Sequence, residues 1–508
     1  MTTQSKRREF IKIMGAAGAG LFFPWRGGVL NVAAQVPVGT LDPTTIPKFQ
    51  TPMLIPPVMP VASILALASG QKVDSYKISM RQFSQQVLPA GMPKTTVWGY
   101  GPVEVGSARA PRIYNAPSMT IEAQWNRPVR VKWVNELLDA RGRYLPHLFA
   151  VDPTIHWANP GGGVAGRDSR PAFQATPGRY TGPVPLVTHL HGAVGVGDES
   201  DGYSEAWYLP DATNLPDGYA KSGTWYGFFA KKALAKRGVV WEAGAASYQY
   251  PNLNRASTLW YHDHTLGLTR LNVYAGGAGF YIVRGGPAGD SAAVDRRTGK
   301  PAVFPGPAPA ASDAFPSTKP YYEIPIAIQD RAFNADGSLF YPDTREYFDG
   351  IVRNYIPQGA IPPMWNPEFF GNCIMVNGNT WPYQAVERRR YRFRFLNGCQ
   401  SRFLMLNFAS IPGVEVWQIG NEGGFLPAPV NLTAVNANRL LLALAERADV
   451  IVDFTNVPEG NYTLGNVAPD EPFGGGVPDA DFAPADPATT GQVLQFRVGP
   501  AVSADTST

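Results

Sequence analysis

Short runs of alternating apolar and polar residues, each cut off by glycine or proline, recur along the whole chain and set what it can fold into. SYKISMRQF at 75–83, VRVKWVNEL at 129–137, PLVTHLHG at 185–192, STLWYHDH at 257–264 and GAGFYIVRG at 277–285 are period-2 or β-rich segments. YYEIPIAIQD at 321–330, CIMVNGN at 373–379, YRFRFLNG at 391–398, VEVWQIG at 414–420, ADVIVDF at 448–454 and GQVLQFRVG at 491–499 continue the pattern. With 53 glycines and 48 prolines among 508 residues, turn formers are dense, and no long stretch keeps a 3.6-residue period. Only 220–237 has room for a helix. The expectation is an all-β chain of two sandwich domains, at 35–285 and 321–499. A Gly-, Pro-, Ala- and Asp-dense linker joins them at 286–320, and 500–508 reads as a further linker.

An internal echo supports two copies of one fold. Arg130-Val131-Lys132-Trp133-Val134-Asn135 matches Arg392-Phe393-Arg394-Phe395-Leu396-Asn397 in pattern. Each is a basic/apolar alternation closed by Asn, as a strand running into a turn requires.

The formal charge of +4 is local. Residues 1–34 hold Lys6, Arg7, Arg8, Lys12 and Arg26 against Glu9, so the remainder is neutral and offers nothing to nucleic acid or an anionic membrane. The same segment has a charged start, a short apolar run and small residues near Val32, Ala33 and Ala34, the layout of a signal peptide. Arg7-Arg8 before Phe10, Ile11 and Lys12 resembles the twin-arginine export signal, with Lys6 where that signal has Ser or Thr. The expected destination is periplasmic or secreted. A second apolar stretch, 54–69, is broken by Pro56, Pro57 and Pro60 and is not read as a membrane span.

Four of the six histidines form two His-x-His pairs, His189-Leu190-His191 and His262-Asp263-His264. Residues i and i+2 of a strand share a face about 6.6 Å apart, so each pair can pinch one ion or reach two. Four neutral imidazoles with no thiolate suit copper, zinc, iron or nickel. His147 and His156 stand alone in a Pro-rich loop and read as structural, or as lying near a site mouth.

At these residues a family resemblance appears. THLHG at 188–192, DESDGYSEAW at 198–207 and LWYHDHTLGLTRLNVYAGGAGFYIVR at 259–284 resemble the first two copper motifs of bacterial multicopper oxidases. The branch is that of spore-coat laccase, bilirubin oxidase and phenoxazinone synthase. QIGNEGGFLPAPV at 418–430 and ERADVIVDF at 446–454 resemble its second domain. The resemblance implies tandem cupredoxin-like Greek-key β-sandwich domains and copper as cofactor. It further implies one-electron oxidation of phenolic or similar substrates coupled to reduction of O2 to water. His189 would ligate the type 2 copper, and His191, His262 and His264 the type 3 pair. Asp201 would be a nearby carboxylate that orients water and relays protons.

The chain departs from that family in lacking both motifs of a third cupredoxin domain, a His-Pro-x-His-x-His segment and a His-Cys-His segment. No histidine follows His264, and neither Cys373 nor Cys399 has a neighbouring histidine, so the His-Cys-His motif of the type 1 copper is absent. The expectation is therefore a front part, with a third cupredoxin domain supplied in the same or another chain. Cys373 and Cys399 read either as a disulfide or as two buried thiols. Two other functions fit parts of the pattern: an exported, non-catalytic cupredoxin-like binding protein, and a single-ion zinc or iron site.

Overall fold

The computed structural model describes residues 39–103 and 113–508; the signal-like segment 1–34 lies outside them. The first half is built from β1 (Ser63–Ala66), β2 (Lys72–Gln85), β3 (Thr95–Pro102), β4 (Ser118–Gln124), β5 (Val129–Asn135), β6 (Thr188–His191), β7 (Ala245–Tyr250), β8 (Ser257–Asp263) and β9 (Ala278–Arg284). One sheet runs β1-β2-β5-β7 with β3 against β2, and the second runs β4-β9-β8-β6. Alternation decides which face is buried. In β5, Val129, Val131 and Trp133 are buried while Arg130 and Lys132 are only half-buried. The two sheets meet through Trp133 and Tyr100 of one and Tyr261 of the other, with ring centroids 5.2 to 5.4 Å apart.

A hairpin of β10 (Val294–Asp295) and β11 (Lys300–Pro301) sits in the Gly- and Pro-rich stretch 286–320. The second half follows with β12 (Glu323–Phe333), β13 (Leu339–Phe340), β14 (Cys373–Val376), β15 (Asn379–Thr380), β16 (Tyr383–Glu387), β17 (Arg390–Asn397) and β18 (Leu404–Asn407). It closes with β19 (Glu415–Asn421), β20 (Gly424–Asn431), β21 (Arg439–Leu442), β22 (Arg447–Asp453), β23 (Gly460–Asn466) and β24 (Gln492–Gly499). Its sheets run β15-β14-β12-β17-β22-β19-β20, with β13 against β12, and β16-β24-β23-β18-β21. Phe393 of one stacks on Phe496 of the other at 5.6 Å.

The echo in the sequence is an echo in space. β5 runs parallel to β2 and antiparallel to β7, and β17 runs parallel to β12 and antiparallel to β22. Both closing asparagines do the same work. Asn135 Oδ1 accepts the Leu137 amide while its Nδ2 donates to the carbonyls of Val184 and Tyr208. Asn397 Oδ1 accepts the Cys399 amide while its Nδ2 donates to the carbonyls of Arg402 and Leu442.

The halves are joined by a small apolar core and a buried ion network. Trp260, Ala278 and Phe280 of the β8–β9 face pack on Ala327 and Leu396 of the second half. Beside them Glu323 takes Arg394 Nε at 2.6 Å and Arg284 Nη1 at 2.9 Å, and Arg392 pairs with Asp449 at 2.6 Å. Arg394 Nη1 also donates to Thr258 Oγ1 on β8. Burial alone would raise the pKa of Glu323, but Arg394, Arg392 and Arg284 outweigh it and hold the carboxyl below its ordinary range.

The tail after β24 lies against this half: the Val502 amide donates to Glu387, and Arg390 donates to the Ser507 carbonyl. A helix occupies Tyr226–Arg237. No helix among the described residues is long and apolar enough to cross a membrane. Cys373 and Cys399 are both buried, free thiols, so of the two readings the disulfide falls.

Candidate metal centre

β6 and β8 are antiparallel neighbours, with His189 opposite His262 and His191 opposite Trp260. This register decides the site. Leu190 and Tyr261 point into the sandwich core, so His189, His191, Trp260, His262 and His264 share the other face. Neighbouring imidazole centroids lie 5.1 to 5.9 Å apart. His262 is buried, and the other three are half-buried.

Backbone carbonyls set the ring nitrogens. His189 Nδ1 donates to the Asp201 carbonyl and His262 Nδ1 to the Asp263 carbonyl, so the Nε2 of each carries the lone pair that a metal would take. His191 Nδ1 stands 3.3 Å from His262 Nε2. Two imidazole nitrogens bonded at about 2.0 Å to one tetrahedral ion are also about 3.3 Å apart, so the spacing of this pair fits two ligands of one ion. His264 Nδ1 is buried and has no hydrogen-bond partner among the described residues. A buried ring nitrogen with no hydrogen-bond partner fits a metal ligand.

The electrostatics favour neutral rings, the form that binds metal. Burial, then the Arg447 guanidinium, lowers His191 to about 4. Burial also pushes His262 well below its ordinary range and lowers His264, the neighbouring imidazoles adding to both. Among the described residues no three His, Cys, Asp or Glu side chains already close round one point. The rings face one another as a wall with one open side.

The segment carrying Asp201 is fitted tightly to β6. Gly202 has φ +77°, and a Cβ there would lie 2.2 Å from the Thr188 carbonyl oxygen, so only glycine lets this turn reach His189. Asp201 orients His189 through its backbone carbonyl; its carboxylate is half-exposed, with Oδ1 3.7 Å from His189 Nδ1. His156 donates from Nε2 to the Asp168 carbonyl and lies apart from the wall. His147 is half-buried, donates from Nε2 to Asn272 and accepts the Phe149 amide, and desolvation lowers it to about 3.

Two residues of the site were not singled out from the sequence. Trp260 stacks against His191 and His262, with centroids at 5.4 and 4.2 Å. Strand parity with His262 is the signal that finds it. Arg447 comes from β22 of the second half, donates to the Thr258 carbonyl and pairs with Glu422 at 2.8 Å. Its Nη2 lies against Gly192, beside His191, a juxtaposition no local pattern announces.

Fold and site thus define a tandem β-sandwich protein with a histidine wall suited to a transition metal. The chain is 32% identical to the laccase of Bacillus subtilis (strain 168) over 455 residues, covering 89% of this chain and 66% of that protein. It is 34% identical to the laccase of Bacillus stratosphericus over 431 residues, covering 83% of this chain and 61% of that one. The chain therefore spans less than two thirds of the length of either laccase. Among solved structures it is similar to the McoA multicopper oxidase of Aquifex aeolicus, with a TM-score of 0.51, 20% identity, and 90% of this chain and 67% of that one covered. That likeness carries the cupredoxin-like fold. No protein-family model matches the chain. On the sequence relationship, the chain belongs to the multicopper oxidase family.

Proposed function

We propose that the chain supplies one wall of the oxygen-reducing copper centre of a laccase-like multicopper oxidase. The observation that carries this reading is the pairing of His189 with His262 across β6 and β8, which turns two separate motifs into one four-imidazole surface. In this reading His189 holds the type 2 copper, and His191, His262 and His264 hold the type 3 pair. His191 and His262, whose nearest ring nitrogens stand 3.3 Å apart, would hold copper together. Copper bound there supplies the one-electron chemistry that reduces O2 to water with electrons from a phenolic or similar substrate.

The chain's own groups have simpler duties. The carbonyls of Asp201 and Asp263 fix the tautomers of His189 and His262. The half-exposed Asp201 carboxylate stands where water reaches the wall and can pass protons toward it. Trp260 and the joint between the halves keep water from the covered side.

Electron entry is assigned to a further cupredoxin domain, in the same polypeptide or another, since no histidine follows His264. Residues 1–34 are assigned to twin-arginine export, which places the protein in the periplasm or outside the cell.

The test is spectroscopic and kinetic. The copper-loaded 508-residue chain should show no intense blue band and negligible oxidation of a phenol such as 2,6-dimethoxyphenol. Adding a cupredoxin domain that carries His-Cys-His should give both the band and oxygen consumption. Robust phenol oxidation with a blue band by the chain alone would overturn the assignment of electron entry.

A further inference from the structure

β6 is only four residues long and lies at the edge of its sheet, paired with β8 alone. A one-residue slip there would turn His189 and His191 into the core. Something must pin it. We propose that Asp263, anchored by Asn272 and His147, is the positioning residue that fixes the two His-x-His pairs against each other.

Asp263 lies between two of the imidazoles, but strand parity sends its side chain to the opposite, dry face, where it is 0% exposed. Its carboxylate is met by donors on every side. Asn272 Nδ2 and the Thr265 amide donate to Oδ1 at 2.8 and 3.0 Å, and the Thr265 hydroxyl donates to Oδ2 at 2.9 Å. The remaining donor is the decisive one. The Val187 amide, just before β6, donates to Oδ2 at 3.1 Å, while the Val187 carbonyl accepts the His264 amide at 2.7 Å. These two bonds close a ring between the start of the first pair's strand and the end of the second pair's.

The network continues inward and ends satisfied. Asn272 Oδ1 accepts His147 Nε2–H at 2.9 Å, His147 Nδ1 accepts the Phe149 amide at 2.9 Å, and the His147 ring lies edge-on to Trp98 at 4.8 Å. A buried carboxylate and amide are costly to desolvate, and a satisfied network that runs from them to the half-buried His147 ring specifies one geometry where an apolar core would allow several. The geometry it specifies is the one a metal needs, since ligand nitrogens must sit within about 0.2 Å of their places. Asp263 therefore never touches the ion, yet sets where the imidazoles stand. The purpose rests on the copper reading above; the pin itself does not.

The test uses the full chain, metal-free and copper-loaded, as wild type, Asp263→Asn and the swap Asp263→Asn/Asn272→Asp. In Asp263→Asn an amide faces amide donors, so the pin opens. The swap restores an amide-to-carboxylate bond and leaves an acceptor for Val187. Hydrogen exchange of peptides spanning 185–192 and 260–268 in the metal-free chain should quicken by about tenfold or more in Asp263→Asn. Its Cu(II) affinity, measured against a competing chelator, should fall by about ten- to a hundredfold, with an altered Cu(II) EPR spectrum and an intact near-ultraviolet dichroism spectrum. The swap should bring exchange, affinity and EPR spectrum back toward wild type. Wild-type exchange in both peptides of Asp263→Asn overturns the proposal, as does a swap that recovers nothing. If Asp263→Asn does not fold, a folded swap with near-wild-type exchange supports the proposal and a swap that also fails overturns it. Should copper bind equally after all four wall histidines become alanine, the copper reading fails, and the metal-free exchange still judges the pin.

Discussion

A histidine is useful to a metal only while it is neutral, and in this chain burial enforces that state at more than one place. His147 shows the consequence most cleanly, because it lies off the wall. Burial lowers it to about 3, from an ordinary value of 6.5. As pH falls from 6.5 toward 3, the unfolded chain takes a proton that the folded chain refuses, so stability drops by up to about 1.4 kcal/mol per pH unit. His147→Phe should therefore lose about 2 kcal/mol less than wild type between pH 7 and pH 5 in urea unfolding of the metal-free chain; an equal loss contradicts the assignment. The residue scale is also where the sequence was most legible. The two His-x-His pairs announce themselves by spacing, and parity alone puts Trp260 with them. His147 was read as structural or near a site mouth; it is structural, but its partner Asn272 lies 125 positions away and no local rule could supply it.

At the scale of elements, a strand is held by its ladder and by what stops it at each end. Asn135 and Asn397 stop equivalent strands, and each accepts one backbone amide and donates to two backbone carbonyls. Replacing either by alanine should cost about 2–4 kcal/mol, since buried backbone groups lose their only side-chain partner. Thermal or urea unfolding of the two variants checks this, and a change under about 0.5 kcal/mol in both would remove the equivalence. The six-residue echo was visible in the sequence because a basic/apolar alternation and its closing Asn are local. What it could not show is the parallel pairing of β5 with β2 and of β17 with β12, which depends on partners more than fifty residues away. The edge position of β6 was hidden for the same reason.

For the whole molecule, the joint between the halves matters as much as either half. Glu323 sits among Arg284, Arg392 and Arg394, and removing its charge takes away one of the two carboxylates, Glu323 and Asp449, that the buried Arg392 and Arg394 share. Glu323→Gln should destabilise the protein by about 3–5 kcal/mol. Its folded pKa is depressed, so the stability it contributes is present above 4.5 and is lost as pH falls below that value. Unfolding of wild type and Glu323→Gln at pH 7 and below pH 4 should show the difference shrinking on acidification; a constant difference contradicts it. The same joint carries Trp260 and Arg447 to the histidine wall, so the metal surface is built by the molecule and not by one domain's motif. The central claim is that the four imidazoles act as one copper-binding wall. Copper content per chain after loading and exhaustive dialysis tests it directly, for wild type, His189→Ala/His191→Ala, His262→Ala/His264→Ala and the quadruple variant. The prediction is bound copper in wild type and its loss when either pair is removed. Equal copper in wild type and the quadruple variant would contradict the account.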